Sequence, residues 1–200
     1  MVDFDFISYL EGNNLTGYVP DLELSRAGVI IGSGYDLGQS SEEELKKSFP
    51  YALAQKLMPY AGKIKQDACA ALKAKPLEVT EEEGQKIKDH CHRTAIDRLE
   101  NEWGASRALE DFCDLSDTCQ TVVASVAFQY GDLEKRTPNF WRQVTSYDWT
   151  GALENLRMFG DDYSERRNKE ADALEAWLKT EEQSKSSAIS LYRSTSEIID

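Results

Sequence analysis

The chain has 200 residues, 40% of them hydrophobic, which is enough for one domain with a proper core or for two small lobes. Acidic residues (36) outnumber basic ones (23), and the formal net charge of −13 disfavours nucleic acid and anionic membranes as partners. The sequence contains neither a long apolar run nor the basic and apolar segments of a signal peptide, so we expect no membrane span and no export signal.

The N-terminal segment predicts a short helix over residues 3–11. Apolar residues recur there at helical spacing, and Gly12 follows as a stop signal. Glu11 then lies at the C-terminal end of the helix, where the negative end of the dipole disfavours an ionised carboxylate. A carboxyl group kept protonated in this way is suited to donating a proton.

Residues 13–39 carry the only convincing β signals. Several glycines and Pro20 punctuate short apolar runs such as GYVP and GVII, which is typical of a small twisted hairpin sheet. Ser40 and Ser41, each followed three residues later by glutamate, then predict overlapping capping boxes where helix resumes.

The rest of the chain predicts helices. One is expected through residues 57–75, and Thr80 with Glu83 forms a capping box before a long helix. Residues 121–131 are apolar nearly all round, which predicts the central helix of the core. Three later helices are expected: 137–146, 148–160 and a last one from about Asp162 through Trp177.

This order of elements predicts an α+β fold that is mostly α, with a small hairpin-sheet lobe fused to a helical lobe. A cleft between the two lobes is the expected site. We expect a single domain over residues 1–200. Its first helix and β lobe occupy 1–45, its helical lobe 46–180 and its tail 181–200.

The four cysteines favour buried free thiols over a disulfide-built scaffold. Cys113 and Cys119 are close enough along the chain to close a short loop, which leaves a disulfide there as an alternative. His90 and His92 flank Cys91, but residues two apart on a helix point away from each other and cannot readily chelate one ion. We therefore expect no metal and no cofactor.

Motifs for nucleophilic and phosphate chemistry are missing from the sequence. Both histidines lie in one pentapeptide, no Gly-x-Ser-x-Gly elbow occurs, and GVIIGSGYDLG lacks the lysine of a phosphate loop. Carboxylate chemistry remains. Glycoside hydrolysis needs one protonated carboxylic acid and a second, ionised carboxylate, but 36 acidic residues offer too many pairs for spacing alone to choose one.

Several motifs resemble those of tailed-phage lysozymes, in which a first helix ends in Glu-Gly, a Tyr follows and a hairpin carries Thr-Ile-Gly-x-Gly. The matching residues are Glu11-Gly12, Tyr18 and Ile30-Ile31-Gly32-Ser33-Gly34, with Phe128-Gln129-Tyr130-Gly131, Thr137-Pro138-Asn139, Asp148-Trp149 and Arg166-Arg167 before Glu170-Ala171 in the helical part.

The hairpin is still more similar to the muramidase domain of the pesticin family and related bacterial antagonism effectors. Their GYVP and GVTIxxGFDLGQ correspond to GYVP at 17–20 and GVIIGSGYDLGQ at 28–39. The resemblance spans almost the whole chain. It implies a muramidase that hydrolyses the MurNAc-GlcNAc β-1,4 bond of peptidoglycan, with Glu11 as catalytic acid and Asp36 as second carboxylate. By the same likeness, Phe128 and Gln129 are candidate substrate-binding residues, although helix pattern alone favours a core position for Phe128.

Two departures from the family pattern leave alternatives open. Phage enzymes place the second carboxylate shortly after the Tyr, so Asp21 competes with Asp36. Ile30 stands where the family has a Thr whose hydroxyl helps to hold the attacking water. Ser33 replaces that hydroxyl only if the glycines bend the strand. A lytic transglycosylase and a non-catalytic wall-binding module are therefore kept as rival interpretations.

The resemblance also implies a biological setting. We expect peptidoglycan glycan strands as the partner, a possible immunity protein, and a monomer that binds neither nucleic acid nor membrane. An antibacterial effector or bacteriocin domain made in the cytoplasm would have to reach the bacterial periplasm through a secretion apparatus or another domain. A phage endolysin is the alternative setting.

Overall fold

The computed structural model describes residues 1–20 and 26–196, the side chains of residue 185 and of residues 188–196 excepted. The elements in chain order are α1 (Phe4–Glu11), β1 (Asn14–Tyr18), β2 (Ile30–Gly32), β3 (Tyr35–Asp36), α2 (Glu42–Ser48), α3 (Tyr51–Leu57), α4 (Lys65–Ala74), α5 (Glu81–Ala105), α6 (Asp117–Tyr130), α7 (Leu133–Arg136), α8 (Pro138–Thr145), α9 (Trp149–Arg157) and α10 (Ser164–Ser196). This composition confirms the predicted α+β, mostly helical class.

The three strands form one antiparallel sheet in the order β1-β2-β3. Asn14 of β1 pairs with Gly32 of β2, and Ile30 of β2 pairs with Asp36 of β3. The tight turn between β2 and β3 is possible because Gly32 and Gly34 take positive φ angles of 65° and 100°, which side chains with a Cβ rarely adopt. The predicted hairpin sheet is confirmed.

Backbone contacts group the chain into two compact units. The N-terminal unit is Asp5–Thr94, and the C-terminal unit is Met1–Phe4 with Ala95–Asp200, of which the structure describes residues up to 196. The long helix α5 contributes to both. The single domain over 1–200, its lobe limits and the cleft stay predictions.

The N-terminal unit has its own hydrophobic core beneath the sheet. Buried members include Val29, Ile31, Leu37, Leu45, Phe49, Leu53, Leu57, Tyr60 and Ile87. Two of the predicted capping boxes form at helix starts: Ser41 with Glu44 at α2, and Thr80 with Glu83 at α5. The box predicted for Ser40 with Glu43 is wrong, because the Ser40 hydroxyl donates to the Tyr35 hydroxyl at 2.9 Å and α2 begins after Ser41. Capping satisfies backbone N–H groups that the first helical turn leaves without partners.

The helix predicted through residues 57–75 is wrong in its first half. Only Lys65–Ala74 is α-helical, while Met58–Tyr60 forms a short 3-10 turn. Pro59 lacks a backbone N–H, and Gly62 takes a positive φ of 67°, so the helical hydrogen-bond ladder does not run through this segment.

The C-terminal unit is built around α6, whose residues from Cys119 to Ala127 are all buried, as predicted for a central helix. α10 runs from Ser164 to Ser196 and is longer than the predicted last helix. At the start of the extension, Lys179 forms an ion pair with Glu175, one turn earlier. Within the described residues, no helix has the length and apolar character needed to cross a membrane.

All four cysteines are unpaired, which agrees with the free thiols favoured by the sequence. Cys113 is nevertheless exposed rather than buried.

Candidate active site

Glu11 is the last residue of α1 and is followed by a glycine cap. Gly12 takes a positive φ of 71°, and its N–H donates to the carbonyl of Ser8 at 3.2 Å. This is the left-handed geometry that commonly ends a helix and that glycine adopts at low cost. The chain can therefore turn directly from the helix into β1, which fixes Glu11 at the negative end of the helix dipole.

The Glu11 carboxyl group is largely withdrawn from solvent. Its side chain is 10% exposed, and Oε2 is buried. Nε2 of His92, on α5, lies 4.0 Å from Oε2, which is longer than a hydrogen bond. Burial removes much of the water that would otherwise hydrate this carboxyl group.

His92 is a neutral neighbour of Glu11 at neutral pH. Its side chain is 7% exposed, and burial lowers the pKa of His92 below its ordinary value of 6.5, with Lys88 acting in the same direction and Asp89 opposing. The contact with Glu11 is therefore not an ion pair. Sequence reasoning missed this residue, although His92 precedes the buried Leu99 by seven positions and so shares its helix face.

Cys91 and Ser33 also lie close to Glu11. Burial raises the pKa of the Cys91 thiol to about 11; the nearby Ser33 hydroxyl opposes the shift, and the Glu11 carboxyl adds to it. Ser33 Oγ is buried near the thiol but does not reach normal hydrogen-bond geometry. A thiol with so high a pKa is protonated at neutral pH, so it is a poor nucleophile there.

Asp36 holds the hairpin together through its side chain. Its Oδ1 accepts hydrogen bonds from the backbone N–H groups of Gly28 and Gly38, both at 2.9 Å. Asp36 thereby caps a short 3-10 turn over Leu37–Gln39. The observed bonds give Asp36 a clear structural task, and its role as second carboxylate stays a prediction.

Asp36 pairs with Ile30 at the start of β2, and Asn14, three residues after Glu11, pairs with Gly32 at the end of the same strand. The competing carboxylate, Asp21, lies outside the described residues.

Glycine is required where the two ends of the GVIIGSGYDLGQ motif cross. A Cβ on Gly28 would stand 2.3 Å from the carbonyl oxygen of Lys63, and a Cβ on Gly38 would stand 2.8 Å from Cα of Gly28. No side chain fits such distances. The motif thus encodes a close backbone crossing that Asp36 pins with two hydrogen bonds.

In the C-terminal unit, Phe128 and Gln129 lie in the last turn of α6, and both are half-buried. The Gln129 side-chain oxygen accepts a hydrogen bond from the guanidinium of Arg167, which is 1% exposed. Gln129 is therefore part of an internal polar network. Its predicted contact with substrate, like that of Phe128, stays a prediction.

That network explains the Arg-Arg-x-x-Glu motif near the end of the chain. Arg167 also bonds Asp161 at 3.0 Å and the fully buried Glu170, and Arg166 bonds Glu170 at 3.2 Å. Burial raises the pKa of Glu170, while Arg167 opposes the shift. Because a buried charge without partners is costly, these residues act as one structural unit.

Comparison with known families shows to which family the chain belongs. A family model described as pesticin, a bacterial toxin homologue of phage lysozyme (C-terminal), matches residues 1–150. The chain belongs to the pesticin family. The matched segment contains Glu11, the whole sheet and α6, whereas the Arg-Arg-x-x-Glu motif lies beyond it. No curated protein matches the chain.

Membership of the pesticin family makes this chain a lysozyme-like bacterial toxin domain. Its N-terminal unit brings together Glu11, His92, Cys91 and Ser33. Within the described part of the chain, no group of three or more His, Cys, Asp or Glu side chains is arranged to hold a metal ion.

Proposed function

We propose that this pesticin-family chain is a muramidase that hydrolyses the β-1,4 bond between MurNAc and GlcNAc in peptidoglycan, with Glu11 as the general acid. The observation that carries the proposal is the shielded carboxyl of Glu11, fixed at the end of α1 beside a neutral histidine. A general acid must deliver its proton to the leaving oxygen from a fixed position, and the end of α1 holds this carboxyl group in place.

In the proposed reaction Glu11 donates its proton to the glycosidic oxygen as the bond from that oxygen to the sugar C1 breaks. Positive charge then develops on the sugar ring, and a second, ionised carboxylate stabilises it or activates water. We assign this second role to Asp36, with Asp21 as the competing candidate. Water supplies the hydroxyl that ends on C1, and its proton restores the protonated acid after turnover.

A lytic transglycosylase is the second candidate, because Ile30 offers no hydroxyl where the family is expected to hold its attacking water. Ser33 is the candidate replacement: it lies in the turn after β2, and its Oγ is buried near Cys91. Hydrolysis adds a water to the released muropeptide, whereas transglycosylation leaves an anhydro ring. Mass spectrometry of the products separates the two.

The biological setting follows from the family. We propose an antibacterial effector or bacteriocin domain that acts as a monomer on peptidoglycan in the bacterial periplasm. A secretion apparatus or another domain would deliver it, and a producing cell would need an immunity protein that blocks the enzyme. A non-catalytic wall-binding module is the contrasting possibility.

The decisive experiment compares lysis of purified sacculi by the wild type, Glu11→Gln and a matched control, Glu100→Gln, on the exposed face of α5. Loss of a general acid is expected to slow lysis by about 100-fold to 10,000-fold, and the control should lyse like the wild type. Glu11→Gln with more than about a tenth of wild-type activity and an unchanged melting temperature would overturn the assignment. Sacculus binding without lysis by the wild type would identify a binding module.

A further inference from the structure

One stretch of the N-terminal unit carries a charge opposite to that of the whole chain. From Lys46 to Lys75 the sequence has seven lysines and a single acidic residue, Asp67, although the net charge of the protein is −13. Exposed charges are screened beyond about 8 to 10 Å at physiological ionic strength. A surface that approaches this stretch therefore meets a positive field, even though the chain as a whole is acidic.

Most of these lysines have no carboxylate partner of their own. Lys46 and Lys56 form ion pairs with Glu42 and Glu83. The other five form no ion pair with any residue that the structure describes: Lys47, Lys63, Lys65, Lys73 and Lys75. All of these except the half-buried Lys65 are exposed. Their ammonium groups can therefore meet an anion from outside the protein.

Tyr60 holds the segments before and after α4 together. Its carbonyl accepts a hydrogen bond from the backbone N–H of Lys63 at 3.2 Å, and its hydroxyl donates to the carbonyl of Lys75 at 2.6 Å. Lys75 in turn lines a groove together with Lys56, and Glu78 adds one carboxylate to that lining. We call the region of Lys56, Lys63, Lys65 and Lys75 the α4 basic surface.

The loop before α4 presents an isoleucine between two of these lysines. Ile64 is 41% exposed and is flanked by Lys63 and Lys65. Its backbone pairs with Gly28 in an antiparallel bridge, and the N–H of Lys65 donates to the carbonyl of Ala27 at 3.2 Å. Lys65 takes a φ of 51°, a strained conformation for a residue with a Cβ. The fold thus holds an apolar side chain at the surface at a cost in backbone strain.

An aromatic side chain on α3 extends this surface. Tyr51 is 79% exposed and precedes Gln55 by four positions, so the two share one face of the helix, and Gln55 lines the same groove as Lys75. Tyrosine is favoured where an apolar layer meets a polar one. Lysines combined with an isoleucine and a tyrosine suit a lipid surface, because an anionic polymer offers the charge without the apolar layer.

We propose that the α4 basic surface docks on anionic phospholipid membranes, with Lys63 and Lys65 contacting lipid phosphates and Ile64 inserting between the headgroups. The contact is peripheral and needs no membrane-spanning helix. Because the N-terminal unit also carries Glu11, docking would concentrate the proposed catalytic acid beside a membrane that borders peptidoglycan. The inference does not require the chain to be a muramidase, since lipid binding and lysis are measured separately.

The test is co-flotation of the full chain with vesicles of phosphatidylglycerol and phosphatidylcholine, compared with vesicles of phosphatidylcholine alone. Lys63→Gln/Lys65→Gln should bind the anionic vesicles at least about tenfold more weakly, because each lysine near an anionic surface contributes about fivefold. Lys63→Arg/Lys65→Arg keeps the charge and should bind like the wild type. The matched control, Lys135→Gln/Lys179→Gln, removes the same charge from exposed lysines of the C-terminal unit and should also bind like the wild type.

A further variant, Ile64→Asn, distinguishes a membrane from a charged polymer. It leaves the charge unchanged and should weaken vesicle binding by about fivefold, because the inserted apolar side chain is lost. Equal binding by Lys63→Gln/Lys65→Gln and its control, or equal binding of the wild type to both kinds of vesicle, overturns the inference. Wild-type binding by Ile64→Asn, with lysine-dependent retention on sacculi, overturns the membrane assignment in favour of an anionic wall polymer. Failure of the wild type to lyse sacculi would refute the muramidase and leave the vesicle result standing.

Discussion

Nε2 of His92 lies 4.0 Å from Oε2 of Glu11, and both side chains are largely shielded from solvent. The proposed catalytic acid thus has a titratable neighbour on α5. Because burial lowers the pKa of His92, the imidazole is neutral over the neutral range and acquires charge only in acid. An imidazolium at this distance would favour the ionised form of Glu11 and so work against proton donation.

The first prediction concerns stability against pH. The folded-state pKa of His92 lies below its ordinary value of 6.5, so below pH 6.5 the unfolded chain takes up a proton that the folded chain does not. The contribution of neutral His92 to the free energy of unfolding is fully present above pH 6.5, and it is lost as the pH falls towards the folded-state pKa. Urea unfolding measures this effect. In His92→Gln the free energy of unfolding should fall less steeply with decreasing pH than in the wild type, by at most about 1.4 kcal/mol per pH unit.

The second prediction concerns activity against pH, with His90→Gln as the matched control. Burial and Arg93 lower the pKa of His90 as well, but its ring packs on Tyr35 and Phe49. Both variants should therefore flatten the stability profile, whereas His92→Gln alone should extend lysis to lower pH. An equal shift in both activity profiles would show that His92 acts only through stability.

The sequence predicted the elements whose signals are local. The α1 stop at Gly12, the capping boxes at Ser41 and Thr80, and the apolar α6 each depend on neighbouring residues along the chain. Contacts that join distant segments were not predictable in this way. His92 reaches Glu11 only because α5 packs beside the end of α1 within the N-terminal unit.

The sequence also could not distinguish a site residue from a structural one inside a family motif. Gln129 stands in a motif shared with phage lysozymes, which suggested substrate binding, yet its side chain bonds Arg167 from a helix 38 positions later. A motif match indicates that a position requires a certain residue type. Only the structure shows which contacts that side chain makes.

A third prediction follows from this bond. Gln129→Ala removes an acceptor from the buried Arg167 and should lower the free energy of unfolding by about 1 to 3 kcal/mol, whereas Gln129→Glu keeps an acceptor and should cost less. Gln85→Ala, on the exposed face of α5, should change stability by less than about 0.5 kcal/mol. Chemical denaturation measures all three. A stable Gln129→Ala with impaired lysis would instead support the substrate-binding role.

A fourth prediction concerns the glycine crossing beneath the hairpin. Gly38→Ala places a Cβ 2.8 Å from Cα of Gly28 and should cost about 1 to 3 kcal/mol or more. Gly104→Ala is the matched control, because a Cβ there meets no atom within 4 Å and the residue lies in the last turn of α5. It should change the free energy of unfolding by less than about 0.5 kcal/mol. Similar melting temperatures for the two variants would show that the backbone of the hairpin can shift to accommodate a Cβ at little cost.

The last prediction decides which aspartate assists Glu11. Asp36→Asn keeps an oxygen that can accept from Gly28 and Gly38, so the fold should survive with a loss of about 1 to 2 kcal/mol as the bonds cease to be charge-assisted. Its negative charge is gone, however, and an amide stabilises developing positive charge on the sugar poorly. We therefore expect Asp36→Asn to lose nearly all lytic activity at a temperature where it is fully folded.

Asp21→Asn provides the comparison, and Asp36→Ala separates charge from structure. Asp36→Ala leaves two backbone N–H groups without their acceptor and should lower both the melting temperature and the activity. Asp21→Asn should retain most lysis if Asp36 is the second carboxylate. Lysis rates on sacculi, normalised to the folded fraction, give the ranking. If Asp36→Asn keeps its activity while Asp21→Asn loses it, Asp36 only pins the hairpin, and Asp21 is the residue that faces the sugar.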